Sequence, residues 1–400
     1  MSAPEVSALE PLPIPAANPS LRVAAQQVLC PFLLSRVWIT IFVYLGHTRE
    51  DLGPVGRIWP GIPHWWLNAW TNYDSEWFLR IAGSGYEPTT TAFFPLYPLL
   101  LRLAGTNEVA IALWGVILSN ILFFIGLVYF LKLTSLDHNA QIAQLAVWLL
   151  CFFPTTMYFS AVYTESLFLL CIVATFYCVR INSWAGAGCW ALLASLTKNS
   201  GPLIFAALCL EYFQKRQSNG THASDARQGI SKTALLVALL PLLGFVVVQG
   251  YFVWKFGGLT AGIESQKSFG RALGWPWVPV VQDFVDIVTL RGMEVRTLLH
   301  FTATILAFFL LVRHARRQPW SYSVLIFGTI MMHLTYGLTL RPHTFSAARY
   351  MMTTFPFVQM LAKDSQVLTR PKFRLVLAAT VYLLICALMS FVFGVRASLA

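Results

Sequence analysis

Apolar residues recur along this chain in runs near twenty residues long, separated by short polar segments. A helix rises about 1.5 Å per residue, so runs of this length can cross ~30 Å of hydrocarbon. The pattern predicts spans at 28–46, 108–131, 141–160, 163–181, 184–197, 201–213, 233–254, 297–313, 321–340, 347–362 and 375–394. The stretch from Trp184 to Phe213 is continuous in hydropathy, but as one helix it would measure roughly 45 Å, too long without strong tilt. In its middle stands Thr197-Lys198-Asn199-Ser200-Gly201-Pro202, polar and then helix-breaking, so two short limbs are predicted.

That division puts the compact basic clusters on one side: Lys132, Arg180, Lys215-Arg216 with Arg227 and Lys232, Arg313-Arg316-Arg317, and Lys363 with Arg370, Lys372 and Arg374. Short loops dense in Lys and Arg face the cytoplasm, so the N-terminus is expected inside and the C-terminus outside. The long loops 47–107 and 255–296 are then extracytoplasmic. The predicted fold is an all-α polytopic membrane protein, a bundle of about eleven transmembrane helices with interfacial helices in its outer loops. Residues 1–20, rich in Pro, Ala and Ser without a basic leader, read as a disordered tail, and 21–400 as a single integral-membrane domain without internal repeats.

Composition sharpens this reading. Of the 400 residues 57% are hydrophobic and 11% charged, and the mean hydropathy is +0.63. The net charge of +11 could suit nucleic acid, but the basic residues fall between apolar runs, where they act as topology signals and attract anionic membrane lipids. No nucleic-acid partner is expected. The seven cysteines lie within apolar segments without a C-x-x-C pair, which supports neither a disulfide framework nor a zinc site.

The most unusual loop is Trp70 to Arg102. Asp74 and Glu76 lead a helix-compatible run in which Trp77, Phe78, Ile81 and Ala82 share one side, the pattern of a helix in the membrane interface. Gly83 and Gly85 end it, and Ala92-Phe93-Phe94-Pro95-Leu96-Tyr97-Pro98 follows. One reading is a solvated cap; the other is an active site with an acid beside an aromatic wall. Four more ionisable groups lie at or within span ends, where they are costly and usually partnered: Arg36, Glu165, Lys198 and Arg349. For Arg36 and Glu165 a buried ion pair that fixes packing is preferred to a substrate role; for Lys198 and Arg349 a functional role is preferred. His47, His64 and His343 have no metal-ligand spacing and read as interfacial hydrogen-bonding groups. Asp283 and Asp286 read as the solvated face of a surface helix, Val280 to Leu290. Asn219-Gly220-Thr221 is a glycosylation sequon in form, on a connector that this topology turns toward the cytoplasm. No P-loop, dinucleotide fingerprint or G-x-S-x-G occurs.

Asp74, Phe78, Leu79, Ile81, Ala82, Gly85 and Tyr86, followed by Ala92 to Pro98, resemble the signature of PIG-V-type mannosyltransferases, a family that comprises GPI mannosyltransferase 2 and its bacterial relatives within the GT-C glycosyltransferases. Tyr163-Thr164-Glu165-Ser166-Leu167-Phe168, Thr197 to Gly201, and Arg349-Tyr350 before Phe355-Pro356 resemble further blocks of that family. Tyr73 stands where the family usually has Trp, and Lys198 where it has Arg, a point charge instead of a planar fork.

The resemblance implies an inverting transfer of a sugar, mannose, from a polyprenyl-phosphate donor to a lipid or glycan acceptor at the extracytoplasmic face. Asp74 would be the general base with Glu76 the second choice, and Lys198 and Arg349 would bind the donor phosphate. Glu165, Tyr73, Trp77, Phe93, Phe94, Tyr97 and Tyr350 would contact substrate. No cofactor is expected; a D-x-E metal pair at Asp74 and Glu76 is the open alternative. A protein O-mannosyltransferase on the same fold, and a lipid or sugar transporter or flippase, are the competing functions. The expected location is a bacterial plasma membrane, or the endoplasmic reticulum if the source is eukaryotic.

Overall fold

The computed structural model describes residues 18–49, 61–221, 232–258, 261–291, 295–338, 343–368 and 372–395. In chain order the helices are α1 (Leu21–His47), α2 (Trp65–Asn68), α3 (Ser75–Ser84), α4 (Leu96–Leu101), α5 (Glu108–Asp137), α6 (Ala140–Cys151), α7 (Glu165–Arg180), α8 (Trp184–Thr197) and α9 (Gly201–Thr221). After these come α10 (Lys232–Ala238), α11 (Leu240–Phe256), α12 (Ala261–Ser268), α13 (Trp277–Val288), α14 (Val295–His314), α15 (Trp320–Thr335), α16 (Ala347–Thr353), α17 (Phe355–Leu368) and α18 (Lys372–Val395). The strands β1 (Arg271–Leu273) and β2 (Tyr336–Leu338) form an antiparallel pair with Arg271 opposite Leu338. Most of the N-terminal tail, most of the 214–232 connector and Arg370 lie outside the described residues.

Among the described residues, five helices are long and apolar enough to cross a membrane: Leu21–His47, Glu108–Asp137, Ala234–Phe256, Val295–His314 and Val376–Val395. Their outward faces carry exposed Leu33, Val37 and Ile41 on α1, Val246 and Val247 on α11, and Leu384 and Leu388 on α18. Such faces are stable only against lipid, which makes the chain an integral membrane protein. Polar caps start the helices where the sequence supplies them: Asn107 accepts from the Ala110 amide at 3.0 Å to start α5, and Asn139 accepts from the Ile142 amide at 2.8 Å to start α6.

Buried α7 forms the centre, with α5 and α8 along it; α11 packs on α8, α9 on α15, and α6 on α17. At the periphery α1 and α18 touch backbone to backbone: a Cβ on Gly46 would lie 2.0 Å from the Phe391 carbonyl, and one on Gly394 would lie 2.0 Å from that of Val43. Only glycine permits that approach.

Several breaks differ from uniform spans, and each has a local cause. The expected break after Thr197 is present, with Lys198 extended and α9 beginning at Gly201. A Cβ on Gly201 would lie 2.7 Å from the Pro241 carbonyl, so the two limbs turn tightly against α11. The expected span 347–362 is two helices, α16 and α17, parted at Thr354 just before Phe355-Pro356. The expected span 141–160 ends as a helix at Cys151, and residues 152–164 are a buried irregular segment. Buried irregular backbone needs partners in place of water. Arg36 supplies them: it donates to the Ser160 hydroxyl and the Thr156 hydroxyl at 2.8 Å each, and to the Thr156 and Cys151 carbonyls at 3.4 and 3.5 Å. The expected Arg36–Glu165 ion pair is therefore not formed. Arg36 is the cap of a loop.

A second correction concerns α13. Asp283 and Asp286 are buried, whereas Trp277, Val281, Phe284, Val285 and Val288 are exposed. Asp283 accepts the amides of His343 and Thr344 at 2.8 Å each and the Thr344 hydroxyl at 2.5 Å. The helix is amphipathic in the sense a membrane selects, acids inward and hydrocarbon outward.

The charges sort to the two ends of α7, which are ~22 Å apart by helical rise. At one end Arg180 pairs with Asp137 at 2.7 Å and Glu211 at 2.9 Å. At the other end stands Glu165.

Candidate active site

The segment between α2 and α3 enters the site through a strained turn. Tyr73 has a φ of 55°, a left-handed conformation that costs a non-glycine residue about 1–2 kcal/mol and persists only where the surroundings hold it. Asn72 donates to the Phe393 carbonyl at 2.9 Å, and the Tyr73 ring lies 5.7 Å from that of Phe393. The Tyr163 hydroxyl closes the turn, accepting the Asp74 amide at 3.0 Å and donating to the Asn72 carbonyl at 3.1 Å. Asp74 is thereby fixed at the start of α3, its side chain 33% exposed.

Arg349, from the short helix α16, donates to Asp74 Oδ2 at 2.8 Å. Its guanidinium rests over the rings of Tyr158, Tyr163 and Tyr350, with carbon-to-centroid distances of 5.2, 5.4 and 5.6 Å. Arg349 Nε also lies 3.3 Å from Glu165 Oε1, an ion pair by distance though without hydrogen-bond alignment. Glu165, 1% exposed at the N-terminus of α7, accepts from Lys198 Nζ at 3.0 Å. Its position favours an acid and the C-terminal end of α8 favours the cation, because helix dipoles point that way. Asp74, Arg349, Glu165 and Lys198 thus form one chain of alternating charge, drawn from segments that are far apart in sequence.

These four residues line a cavity of about 580 Å³. Tyr73, Phe93, Phe94 and Tyr350 line it too, with Phe245, Val253 and Phe269 among its apolar walls. Phe94 lies parallel to Phe245 at 6.3 Å, and Phe93 meets Phe269 edge-on at 5.7 Å. Burial pushes the Tyr86 phenol up, so it stays protonated and donates to the Phe93 carbonyl at 2.9 Å, which holds the aromatic wall in place.

Three of the expected site residues do not line the cavity. Glu76 points to Arg80 at 3.4 Å on the half-exposed side of α3. Trp77 stands behind the wall, stacked on Phe93 at 6.2 Å. Tyr97 is fully buried, its hydroxyl 2.8 Å from that of Ser119, where it fixes α4 to α5. Asp74 and Glu76 each face a different cation, Arg349 at 2.8 Å and Arg80 at 3.4 Å.

Arg271, which the sequence did not single out, also lines the cavity. Its segment has no motif, and nothing in the sequence ranks it above Lys267 or Arg291. Asp283, Asp286 and His343 bring their ligand atoms within 4.8 Å of one another, but Asp283 spends both oxygens on the loop that leads to Arg349. None of those three lines the cavity.

An all-α integral membrane protein with a charged, aromatic-walled cavity at one end of its bundle is the class that fold and site define. Within that class the chain belongs to the mannosyltransferase (PIG-V) family, whose family model matches residues 62–393. It is 31% identical over 129 residues to GPI mannosyltransferase 2 of Drosophila melanogaster, a match covering 28% of this chain and 26% of that protein. The protein of the same name from Drosophila pseudoobscura pseudoobscura is 32% identical over 116 residues, covering 26% of this chain and 25% of that protein. The matched stretch thus spans about a quarter of the length of these curated relatives. Among solved structures, the apo oligosaccharyltransferase of Archaeoglobus fulgidus superposes with a TM-score of 0.49 at 11% identity, covering 91% of this chain and 56% of that one. The form tethered to an acceptor peptide gives 0.45 at 11% identity, covering 90% and 55%.

Proposed function

We propose that the chain is an inverting mannosyltransferase that uses a polyprenyl-phosphate sugar donor and a hydroxyl of a lipid or glycan acceptor, at the extracytoplasmic face. The observation that carries this reading is the 2.8 Å contact between Asp74 and Arg349 on the cavity wall. It joins the leading residue of the most specific motif to a cation 275 residues away.

The chemistry follows from what each group can do. Arg349 occupies Asp74 Oδ2, and Oδ1 has no protein partner among the described residues. That oxygen is the proton acceptor for the incoming hydroxyl. The acceptor oxygen forms a bond to the anomeric carbon as the bond from that carbon to the phosphate oxygen breaks. The electron pair leaves on the phosphate, giving a polyprenyl phosphate and an inverted glycoside. The departing phosphate is a stable anion and needs cations, not a protonating acid, in contrast to glycosidases that must expel an alkoxide. Lys198 and Arg349 supply positive charge, and Glu165 holds both in place. The aromatic wall suits a sugar ring and an isoprenoid tail.

No metal is assigned to this step. The support is the pairing of Asp74 and Glu76 with different cations, Arg349 and Arg80, and the commitment of Glu165 to two cations. The basic clusters around Arg180 and Arg313 lie away from the Glu165 end and support a cytoplasmic assignment of that side.

The test is transfer of labelled mannose from a defined polyprenyl-phosphate mannose in proteoliposomes. Transfer to a lipid acceptor that Asp74→Asn abolishes supports the reading; movement of the lipid without transfer contradicts it.

A further inference from the structure

The cations named above are already neutralised. Lys198 faces Glu165 at 3.0 Å, and Arg349 faces Asp74 at 2.8 Å. A phosphate arriving there must compete with a carboxylate for each of them, or bind beside it. Arg271 is different. Among the described residues no carboxylate lies within ion-pairing distance of it. It lines the same cavity as Tyr350, with its guanidinium 5.7 Å from the centroid of the Phe345 ring. Counted with Asp74, Glu165, Lys198 and Arg349, it leaves the cavity one positive charge in excess.

The backbone delivers this side chain deliberately. Gly270 has a φ of 69°, a left-handed turn that starts β1 at Arg271. Pairing with β2 and the Gly274 amide bond to the Thr335 carbonyl at 2.9 Å tie the strand to the end of α15. The preceding segment is tied to the first outer loop: the Ser265 hydroxyl donates to the Thr89 carbonyl at 2.6 Å, and Phe269 meets Trp77 edge-on at 5.3 Å. Arg271 therefore stands on a braced wall of its own, separate from the helix ends that carry Lys198 and Arg349.

We propose that Arg271 is the principal phosphate-binding residue of this cavity, taking the phosphate of a phosphorylated lipid from its place against the Phe345 ring. This deepens the function proposed above and rests on it for the identity of the lipid. A planar guanidinium presents paired donors to a phosphate oxygen edge, which an ammonium does not. Lys198 and Arg349, each shared with a carboxylate, then add charge around the departing phosphate without being its main anchor, and Arg349 also orients Asp74.

The experiment measures binding of farnesyl phosphate and of farnesol to the purified full chain in nanodiscs, by quenching of tryptophan fluorescence. The proteins compared are wild type, Arg271→Gln, Arg271→Lys, Lys198→Gln and Arg349→Gln. The expected result is tighter binding of the phosphate than of the alcohol by wild type. Arg271→Gln should erase that preference, a loss of about 10- to 100-fold for the phosphate, with farnesol affinity unchanged. Arg271→Lys should recover part of the loss, and Lys198→Gln should lose less than Arg271→Gln. If Arg271→Gln keeps the preference while Lys198→Gln or Arg349→Gln loses it, the assignment is overturned and the enzyme reading stands. If wild type shows no preference for the phosphate, the assignment falls together with the phosphate-donor reading. Farnesol binding reports folding, so a collapsed variant is recognised directly and Arg271→Lys decides in its place.

Discussion

Replacing Glu165 by Gln removes a carboxylate that faces two cations, at 3.0 Å from Lys198 and 3.3 Å from Arg349. Unit charges 3.0 Å apart attract by roughly 5 kcal/mol at an effective dielectric of about 20, before desolvation is subtracted. Breaking a buried pair by deleting one partner costs about 3–5 kcal/mol, because the other charge stays behind. Lys198 keeps some access to solvent, its side chain 13% exposed, which places the expected loss near the lower end, about 3 kcal/mol. The assay is a double-mutant cycle on thermal unfolding in detergent, with Glu165→Gln, Lys198→Met and the pair. Lys198→Met should cost less than Glu165→Gln, since Glu165 retains Arg349. The pair should recover at least about 1 kcal/mol relative to additivity, the coupling expected of side chains in contact. Additive losses, or a Glu165→Gln protein as stable as wild type, would refute the claim that this carboxylate holds the cationic end of the site together.

Other consequences follow from the same geometry. Tyr163→Phe deletes the hydroxyl between the Asp74 amide and the Asn72 carbonyl; kcat should fall about tenfold with little change in donor affinity, checked by single-turnover kinetics beside donor binding. A cysteine placed at exposed Ser84 should react with an impermeant reagent only from outside, and one at exposed Gln217 only from the cytoplasm. Transfer measured in EDTA should match transfer in magnesium within about twofold, because the phosphate is met by cations of the chain; a loss of activity restored by a divalent ion would reinstate a metal.

What the sequence disclosed depended on whether the partner of a residue carries its own signal. The break at Lys198 was legible, because a polar run with Gly201-Pro202 interrupts a stretch too long for one span. The meeting of Asp74, Glu165, Lys198 and Arg349 was legible only as a set of costly charges at span ends; their order along the chain says nothing of which touches which. Arg36 was misread for a related reason. Its partners are mostly backbone carbonyls and hydroxyls of a buried loop, and carbonyls leave no mark in sequence. Asp283 and Asp286 were misread because an amphipathic helix was given the polarity it has in water, where acids face out. Against lipid the same pattern inverts. Arg271 was missed because its role depends on a three-residue strand and a loop-to-loop contact, neither of which has a periodicity to read.

The central claim is that Asp74 removes the acceptor's proton. Asn in its place keeps the shape and a hydrogen bond but no longer accepts a proton, and loss of a general base costs about 10²- to 10⁴-fold. The measurement is single-turnover transfer from a defined polyprenyl-phosphate mannose, with donor binding determined separately for wild type, Asp74→Asn and Glu76→Gln. The account predicts that Asp74→Asn binds donor and hardly transfers, while Glu76→Gln, which loses only its contact with Arg80, stays within about tenfold of wild type. Near wild-type transfer by Asp74→Asn would contradict it, and a dead Glu76→Gln alongside would move the base to the other carboxylate.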